Sequence, residues 1–367
     1  MPRQVRYAVV GLGHIAQVAV LPAFRHAKRS VLAALVSGDE EKRRELSRRY
    51  KVDFVTGYDG YDSLLRSGSI DAVYIALPND QHRDYTVRAA RAGIHVLCEK
   101  PMATTEADCR AMIDAAREAS VRLMIAYRLH FDPATLEAIR LIRNGQLGNP
   151  RLFNSTFAMQ VREGNIRAKR RRGGGPLYDI GIYCINAARY LFRDEPIEVS
   201  AVAVNNGERR FDEIDEAVSA TLRFPGSRLA TFVTSFGAAD AGRLQVVGSK
   251  GRLELDPAYE YAEGLTLEVT KDERTRRRKF AKHDQFAAEL EYFSDCVLNG
   301  KEPEPSGEEG LADVRIIQAL DRSIASGRRV KLSLRRRSRR PGPAQKVAYP
   351  GIRKPRRIVR ARSPHPD

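Results

Sequence analysis

Apolar residues along the chain come in short runs separated by polar, helix-spaced segments. The runs at 6–10, 31–36, 70–76, 94–98 and 122–126 have the length of buried strands. Between them, residues 16–29, 40–50, 81–92 and 106–119 space their apolar positions as helices do. Strands alternating with helices predict a parallel sheet covered on both faces. One further helix is predicted over 177–192, and then the pattern changes. Strand-like stretches follow at 196–205, 216–224, 228–236, 242–247, 252–255 and 265–270, several joined by turn signals such as Pro225-Gly226 and Ser249-Lys-Gly251. That is the pattern of an antiparallel sheet. Helices near 285–298 and 307–326 close the core, the second preceded by Ser306 as an N-cap candidate. The fold class expected is α/β, a doubly wound parallel sheet followed by a domain with an antiparallel one. No internal repeat is visible.

Composition narrows this picture. A chain of 367 residues, 43% hydrophobic and 30% charged, suits two soluble globular domains. No run approaches the ~20 apolar residues of a membrane span. Residues 1–7 lead straight into the first strand without the apolar core of a secretion signal. Cys98, Cys109, Cys184 and Cys296 are scattered and fit no disulfide or metal spacing. A cytoplasmic chain with reduced thiols and no metal is expected. The net charge of +17 is uneven: residues 335–367 hold twelve Lys/Arg and one acid, so +11 sits there and +6 on the rest. That tail is rich in Arg and Pro and lacks apolar periodicity, which predicts disorder. It offers the one route to nucleic acid or another polyanion, the alternative being a solvated tail; it has few aromatics for base stacking.

Gly11, Gly13 and Ala16 form a G-x-G-x-x-A turn between the first strand and the first helix. The first glycine permits the tight turn, the second lets the backbone approach a pyrophosphate, and a small third residue lets helix and strand pack closely. The helix start then presents free N–H groups to the phosphates. In this context the turn predicts a Rossmann dinucleotide site, with His14 and Ile15 inside it. The end of the second strand bears on the cofactor. Where an NAD enzyme usually has an acid, this chain has Ser37, then Gly38 and Asp39, with Lys42 and Arg43 one helical turn on. A hydroxyl and a cation suit a 2′-phosphate, so NADP is expected; Asp39 keeps NAD open.

Later segments carry a family likeness: Ala76-Leu-Pro-Asn-Asp-Gln-His82, Cys98-Glu-Lys-Pro-Met-Ala-Thr104, Tyr127-Arg-Leu-His-Phe-Asp-Pro133 and Gly173-Gly-Gly-Pro-Leu-Tyr-Asp-Ile-Gly-Ile-Tyr183. In these the chain, from about residue 5 to 334, resembles the glucose–fructose oxidoreductase branch of the Gfo/Idh/MocA oxidoreductases. The resemblance implies a Rossmann domain (1–127), a substrate domain with a large open sheet that commonly serves oligomerisation (128–334), and leaves 335–367 as the tail. A homodimer or homotetramer is then expected. The resemblance also implies an NADP-dependent sugar oxidoreductase. Its acid/base is Tyr183, with Lys100 as partner. Asp179 takes a sugar hydroxyl. Arg128 and His130 border nicotinamide and sugar, and Leu77, Asn79, His82, Glu99 and Lys100 line the cofactor.

The residue types suit that chemistry. Moving a hydride to a nicotinamide needs a base for the substrate's hydroxyl proton. A free phenol, with a pKa of ~10, is too weakly acidic to serve at neutral pH unless a nearby ammonium favours the phenolate. Tyr183 lies four residues after Asp179, on one face of a regular helix. Lys100 ends a parallel strand, the edge where such sheets bind ligands. Other readings stand beside these: a packed helix tyrosine, Asp179 as a cap, Lys100 as a surface residue, His130, Asn79 and His82 as turn or helix caps, and His14 as an exposed loop residue. The basic run 167–172 before the glycines either attracts an acidic or phosphorylated ligand or is solvated. Asn165 stands where arm-bearing relatives have tryptophan, so the sugar is left open. The alternative to an enzyme is a dinucleotide-binding sensor or scaffold whose tail contacts nucleic acid.

Overall fold

Six short strands, mostly apolar, pair into a wholly parallel sheet in the computed structural model, which describes residues 3–337 and 339–365. They are β1 (Val5–Val10), β2 (Ser30–Val36), β3 (Phe54–Thr56), β4 (Ala72–Ile75), β5 (His95–Glu99) and β6 (Leu123–Ala126), in the order β3-β2-β1-β4-β5-β6. β1 pairs with β2 on one side and β4 on the other, so the order reverses there and opens a crevice at the strands' carboxyl ends. Helices cover the sheet, and their starts follow local chemistry. Asp39 caps Glu40–Tyr50 by accepting the Lys42 N–H, and Thr105 caps Glu106–Glu118 by accepting the Asp108 N–H.

The second sheet has nine strands: β7 (Pro150–Ala158), β8 (Glu198–Val204), β9 (Ala217–Phe224), β10 (Arg228–Ser235), β11 (Ala241–Gly248), β12 (Gly251–Leu255), β13 (Leu265–Lys271), β14 (Arg274–Phe280) and β15 (Val330–Lys331). Their order is β14-β13-β12-β11-β7-β10-β9-β8-β15. All neighbours are antiparallel except β7 and β10. One face is core, with Phe153, Phe157, Ala230, Phe232, Leu222 and Leu244 buried. The other face is open and carries Leu152, Val202, Val204, Leu229 and Val233, from 41 to 67% exposed, among polar residues.

The chain divides into two compact units, and both are discontinuous. The first takes the chain up to Arg128, then Asp284–Leu311 and Val347–Ser363; the second takes Leu129–His283 and Ala312–Lys346. Linear boundaries at 127 and 334 therefore miss the return of the helix Gln285–Leu298 to the first unit.

Three local expectations change. The helix expected over 16–29 is a π-turn, Ala16–Val20, and a short α-segment, Leu21–Ala23. Pro22 has no N–H for the Val18 carbonyl, so a regular ladder cannot run through it. Residues 177–192 also open on a π-turn, Leu177–Gly181, before the α-helix Ile182–Phe192. The tail, expected to be disordered, has almost no regular structure but is tied down. Arg340 pairs with Glu195 at 2.6 Å, Tyr349 stacks on His26, and Val359 is buried. Composition does not reveal such partners, because they lie far upstream, 145 residues away for Glu195.

Candidate active site

In the first unit the expected cofactor residues follow the carboxyl ends of five parallel strands. Gly11 leaves β1 with φ +93°, and a Cβ on it would stand 2.6 Å from the Ala76 carbonyl oxygen, so only glycine fits. A Cβ on Gly13 would meet nothing within 4 Å. The turn thus presents open backbone at the crevice, which is what a pyrophosphate needs, and the dinucleotide fits there.

After β2, Ser37 is buried and its Oγ accepts the Asp39 N–H at 3.2 Å. The Arg43 guanidinium donates to the Ser37 carbonyl. Ser37 and Arg43 therefore shape the turn, while Gly38 is exposed and Lys42 half-exposed. After β4, Leu77 is buried and Asn79 opens a 3-10 turn. His82 is fully buried, with Nε2 at 2.9 Å from the Leu77 carbonyl and Nδ1 at 2.9 Å from that of Pro101. It ties the turn after β4 to the Lys100-Pro101 turn after β5, so it braces the site.

Glu99, at the end of β5, accepts the Tyr74 hydroxyl (2.9 Å) and the Lys100 N–H (3.3 Å). Burial pushes its carboxyl pKa up, against the pull of Lys100 and Arg128. Arg128, after β6, is buried and donates to Gln285 Oε1 at 2.5 Å. Glu289, one turn along from Gln285, is wholly buried, and neither of its carboxylate oxygens has a hydrogen-bond partner. Burial first, then repulsion from Glu99, pushes its pKa well above the usual range despite Arg128. Burial and the absence of hydrogen-bond donors both favour the protonated form of Glu289. Gln285 and Glu289 were not foreseen; the signal was a carboxylate within the apolar stripe Phe286, Leu290, Phe293.

In the second unit Asp179 and Tyr183 are both half-exposed. Arg167 donates from Nε to Asp179 Oδ2 at 2.6 Å. Burial disfavours the Arg167 charge, but Asp179, with Tyr261 and Tyr183 nearby, more than offsets this and raises its pKa. The Tyr183 ring packs edge-on against Phe157 (5.6 Å between centroids) and beside Tyr259 (6.0 Å); Phe157 and Tyr259 stack on each other. The glycine run has a steric reason, since a Cβ on Gly174 would stand 2.3 Å from the Arg167 carbonyl oxygen. The run 167–172 is partly engaged: Lys169 pairs with Glu213 at 2.7 Å, and Arg170 donates to the Glu213 carbonyl. Asn165 caps the turn Ile166–Ala168.

His130 lies deeper. It is buried, with Nε2 at 2.7 Å from Asn186 Oδ1. Asn186 donates to Asp313 at 2.8 Å, and Asp313 accepts Arg189 at 2.6 Å. Arg189 also forks onto Glu195 at 2.6 and 3.0 Å. This buried ion network was not foreseen either. Among the described residues no cluster of His, Cys, Asp and Glu is arranged to hold a metal.

A parallel sheet with a glycine turn at its switch point is the architecture of a dinucleotide-binding oxidoreductase. Residues 5–127 match the oxidoreductase family with an NAD-binding Rossmann fold and residues 135–254 match the GFO/IDH/MocA C-terminal domain, so the chain belongs to the Gfo/Idh/MocA oxidoreductase family. It is 40% identical to a solved aldose-aldose oxidoreductase from Caulobacter crescentus, with a TM-score of 0.87, over 90% of this chain and 100% of that one. It is 31% identical to the D-xylose 1-dehydrogenase [NADP(+)] of Haloarcula marismortui, over 86% of this chain and 90% of that one. KijD10, a 3-ketoreductase from Actinomadura kijaniata solved with NADP and TDP-benzene, is 27% identical with a TM-score of 0.80, over 88% of this chain and 98% of that one.

Proposed function

We propose that this enzyme is an NADP-dependent oxidoreductase of CH–OH groups that acts on a free sugar, with Tyr183 as acid/base and Lys100 as its partner. The observation that carries the reading is the near full-length likeness to proteins named for aldoses, xylose and NADP. When bound, the dinucleotide accepts or returns a hydride. The Gly11–Gly13 turn, His14, Ile15, Gly38, Lys42, Leu77 and Asn79 would hold it, with Arg128 and Glu99 at the nicotinamide end.

The protein's own share is to place and move a proton. Tyr183 takes the sugar hydroxyl proton in oxidation and returns it in reduction, and the Lys100 ammonium favours the phenolate that accepts it. Asp179, held by Arg167, accepts a second sugar hydroxyl and sets the ring's orientation. His130, held by Asn186, would border the sugar, as the family resemblance implies. The likeness to named dehydrogenases and oxidoreductases over 86 to 90% of the chain argues against a sensor without catalysis.

The open sheet face is proposed as the oligomer interface, giving a homodimer or homotetramer; its polar hollow of about 400 Å3 beside Val233 leaves room for a second copy's side chains. All four cysteines are free and buried, which suits the cytoplasm. No helix among the described residues is long and apolar enough to cross a membrane.

The test is a panel of aldoses and ketoses with NADP+ and NADPH, on wild type and Tyr183→Phe. Wild type should turn over at least one sugar. The variant should lose at least a thousandfold in kcat while binding NADPH normally, since the retained ring keeps its contacts with Phe157 and Tyr259. An active Tyr183→Phe enzyme removes the assignment.

A further inference from the structure

The stretch Val347–Ser363, beyond the reach of the family likeness, runs over the first unit to the adenosine end of the proposed cofactor site. Its ties are specific. Tyr349 stacks on His26 at 6.1 Å, and its carbonyl accepts the Asp284 N–H at 3.1 Å. Arg357 pairs with Glu45 at 3.2 Å, and its carbonyl accepts Arg49 at 2.9 Å. Val359 is 1% exposed; both its N–H and its carbonyl bond to the buried Gln17 amide at 2.8 Å. The same amide donates to the Leu12 carbonyl inside the glycine turn at 3.0 Å.

Arg360 comes next, with φ +45°, left-handed backbone that a non-glycine residue keeps only when its surroundings hold it. Its guanidinium meets Asp39 Oδ2 at 3.2 Å and Glu41 Oε2 at 3.3 Å. With Gly38, Glu40 and Arg44 these residues line an open hollow at the end of β2.

We propose that this strap is part of the cofactor site and that Arg360 sets its preference for a 2′-phosphorylated dinucleotide. The proposal rests on the reading that the Gly11–Gly13 turn holds a dinucleotide. Asp39 stands just past β2, where a carboxylate accepts the ribose 2′-hydroxyl of NAD and repels a 2′-phosphate. Arg43, which could have countered it, is engaged by the Ser37 carbonyl. Arg360 neutralises Asp39 and Glu41 and brings a planar fork of donors that suits a phosphate, with Arg44 across the hollow. The strap's basic residues 357 and 360 thus serve carboxylates of their own chain.

The experiment is titration of the full-length protein with NADPH and with NADH, without sugar, read by nucleotide fluorescence. Wild type, Arg360→Ala, Arg360→Glu and Arg360→Ala/Asp39→Asn are compared, with thermal melting as the fold check. Arg360→Ala should weaken NADPH about tenfold, as loss of one charge-assisted contact does, and leave NADH within twofold. Arg360→Glu should weaken NADPH further, and Asp39→Asn should restore part of the loss. Equal weakening of both nucleotides in a folded Arg360→Ala protein, or no weakening of either, overturns the proposal and leaves the dinucleotide reading standing. A wild type that binds neither nucleotide overturns both.

Discussion

Arg167 Nε lies 2.6 Å from Asp179 Oδ2, so the carboxylate assigned to the sugar is pinned by a cation from the preceding loop. The pair is partly exposed, with side chains 30% and 16% accessible, so its contribution to fold stability is small. Its effect should fall on substrate. Arg167→Ala removes this tie on Asp179, and kcat/KM for the sugar should drop about ten- to a hundredfold, or ~1.4–2.7 kcal/mol, mostly through KM. Steady-state kinetics check this, and an unchanged KM counts against a sugar role for Asp179.

The two glycines of the first turn should separate fold from binding. Gly11→Ala places a methyl against the Ala76 carbonyl oxygen at positive φ, so it should destabilise the protein by about 1–3 kcal/mol. Gly13→Ala meets nothing in the protein and should melt like wild type. It should nevertheless lose at least tenfold in nucleotide affinity, since its methyl stands where the pyrophosphate approaches. Melting curves and nucleotide titration of the two variants decide this; normal binding by Gly13→Ala contradicts the cradle.

Glu289 predicts a pH dependence of stability. Its folded pKa is raised above the ordinary 4.5 by burial. Below pH 4.5 both folded and unfolded chains carry the proton and the contribution is fully present. As pH rises, the unfolded chain loses the proton while the folded one keeps it, so stability falls by up to about 1.4 kcal/mol per pH unit until the folded carboxyl titrates. Glu289→Gln should remove that slope, gaining on wild type at pH 8 and not at pH 4. Urea denaturation at several pH values measures it, and parallel curves would mean Glu289 is ionised in the fold.

Asp313 holds both Arg189 and Asn186, and Arg189 is 0% exposed. Asp313→Ala removes one of the carboxylates that compensate a buried guanidinium and should cost about 3–5 kcal/mol. Equilibrium denaturation reads this directly. An Arg189→Met/Asp313→Leu variant, which leaves Glu195 to pair with Arg340, should recover much of the loss, because the penalty lies in the uncompensated charge.

Much of this was legible along the chain. The parallel sheet could be read because apolar runs such as Ala72–Ile75 admit few other fates, and the antiparallel strands could be read where Pro225-Gly226 and Ser249-Lys-Gly251 mark hairpins. Three strands of the second sheet, β7, β14 and the two-residue β15, and the three-residue β3 of the first sheet were not. β7 alternates Phe153, Ser155 and Phe157 inward with Asn154 and Thr156 outward, and its polar half hides a strand at the centre of the sheet. β14 is almost all Arg, Lys and Thr on an edge, held by its backbone pairing with β13, so no apolar signal exists to find. The glycine turn and the tyrosine motif are local and visible. Glu289, Gln285 and Arg360 are not, because each acts on residues far upstream and only the closed chain brings them there.

The parallel pairing of β7 with β10 carries a consequence for synthesis. β7 leaves the ribosome well before either strand that will flank it, whereas the hairpins β9–β10 and β11–β12 form from neighbours. The middle of the sheet must therefore wait, its aromatic side chains uncovered, until two later pieces close around it. Yield in a foreign host should respond to chaperone supply and to slower growth more than to changes at the sugar pocket.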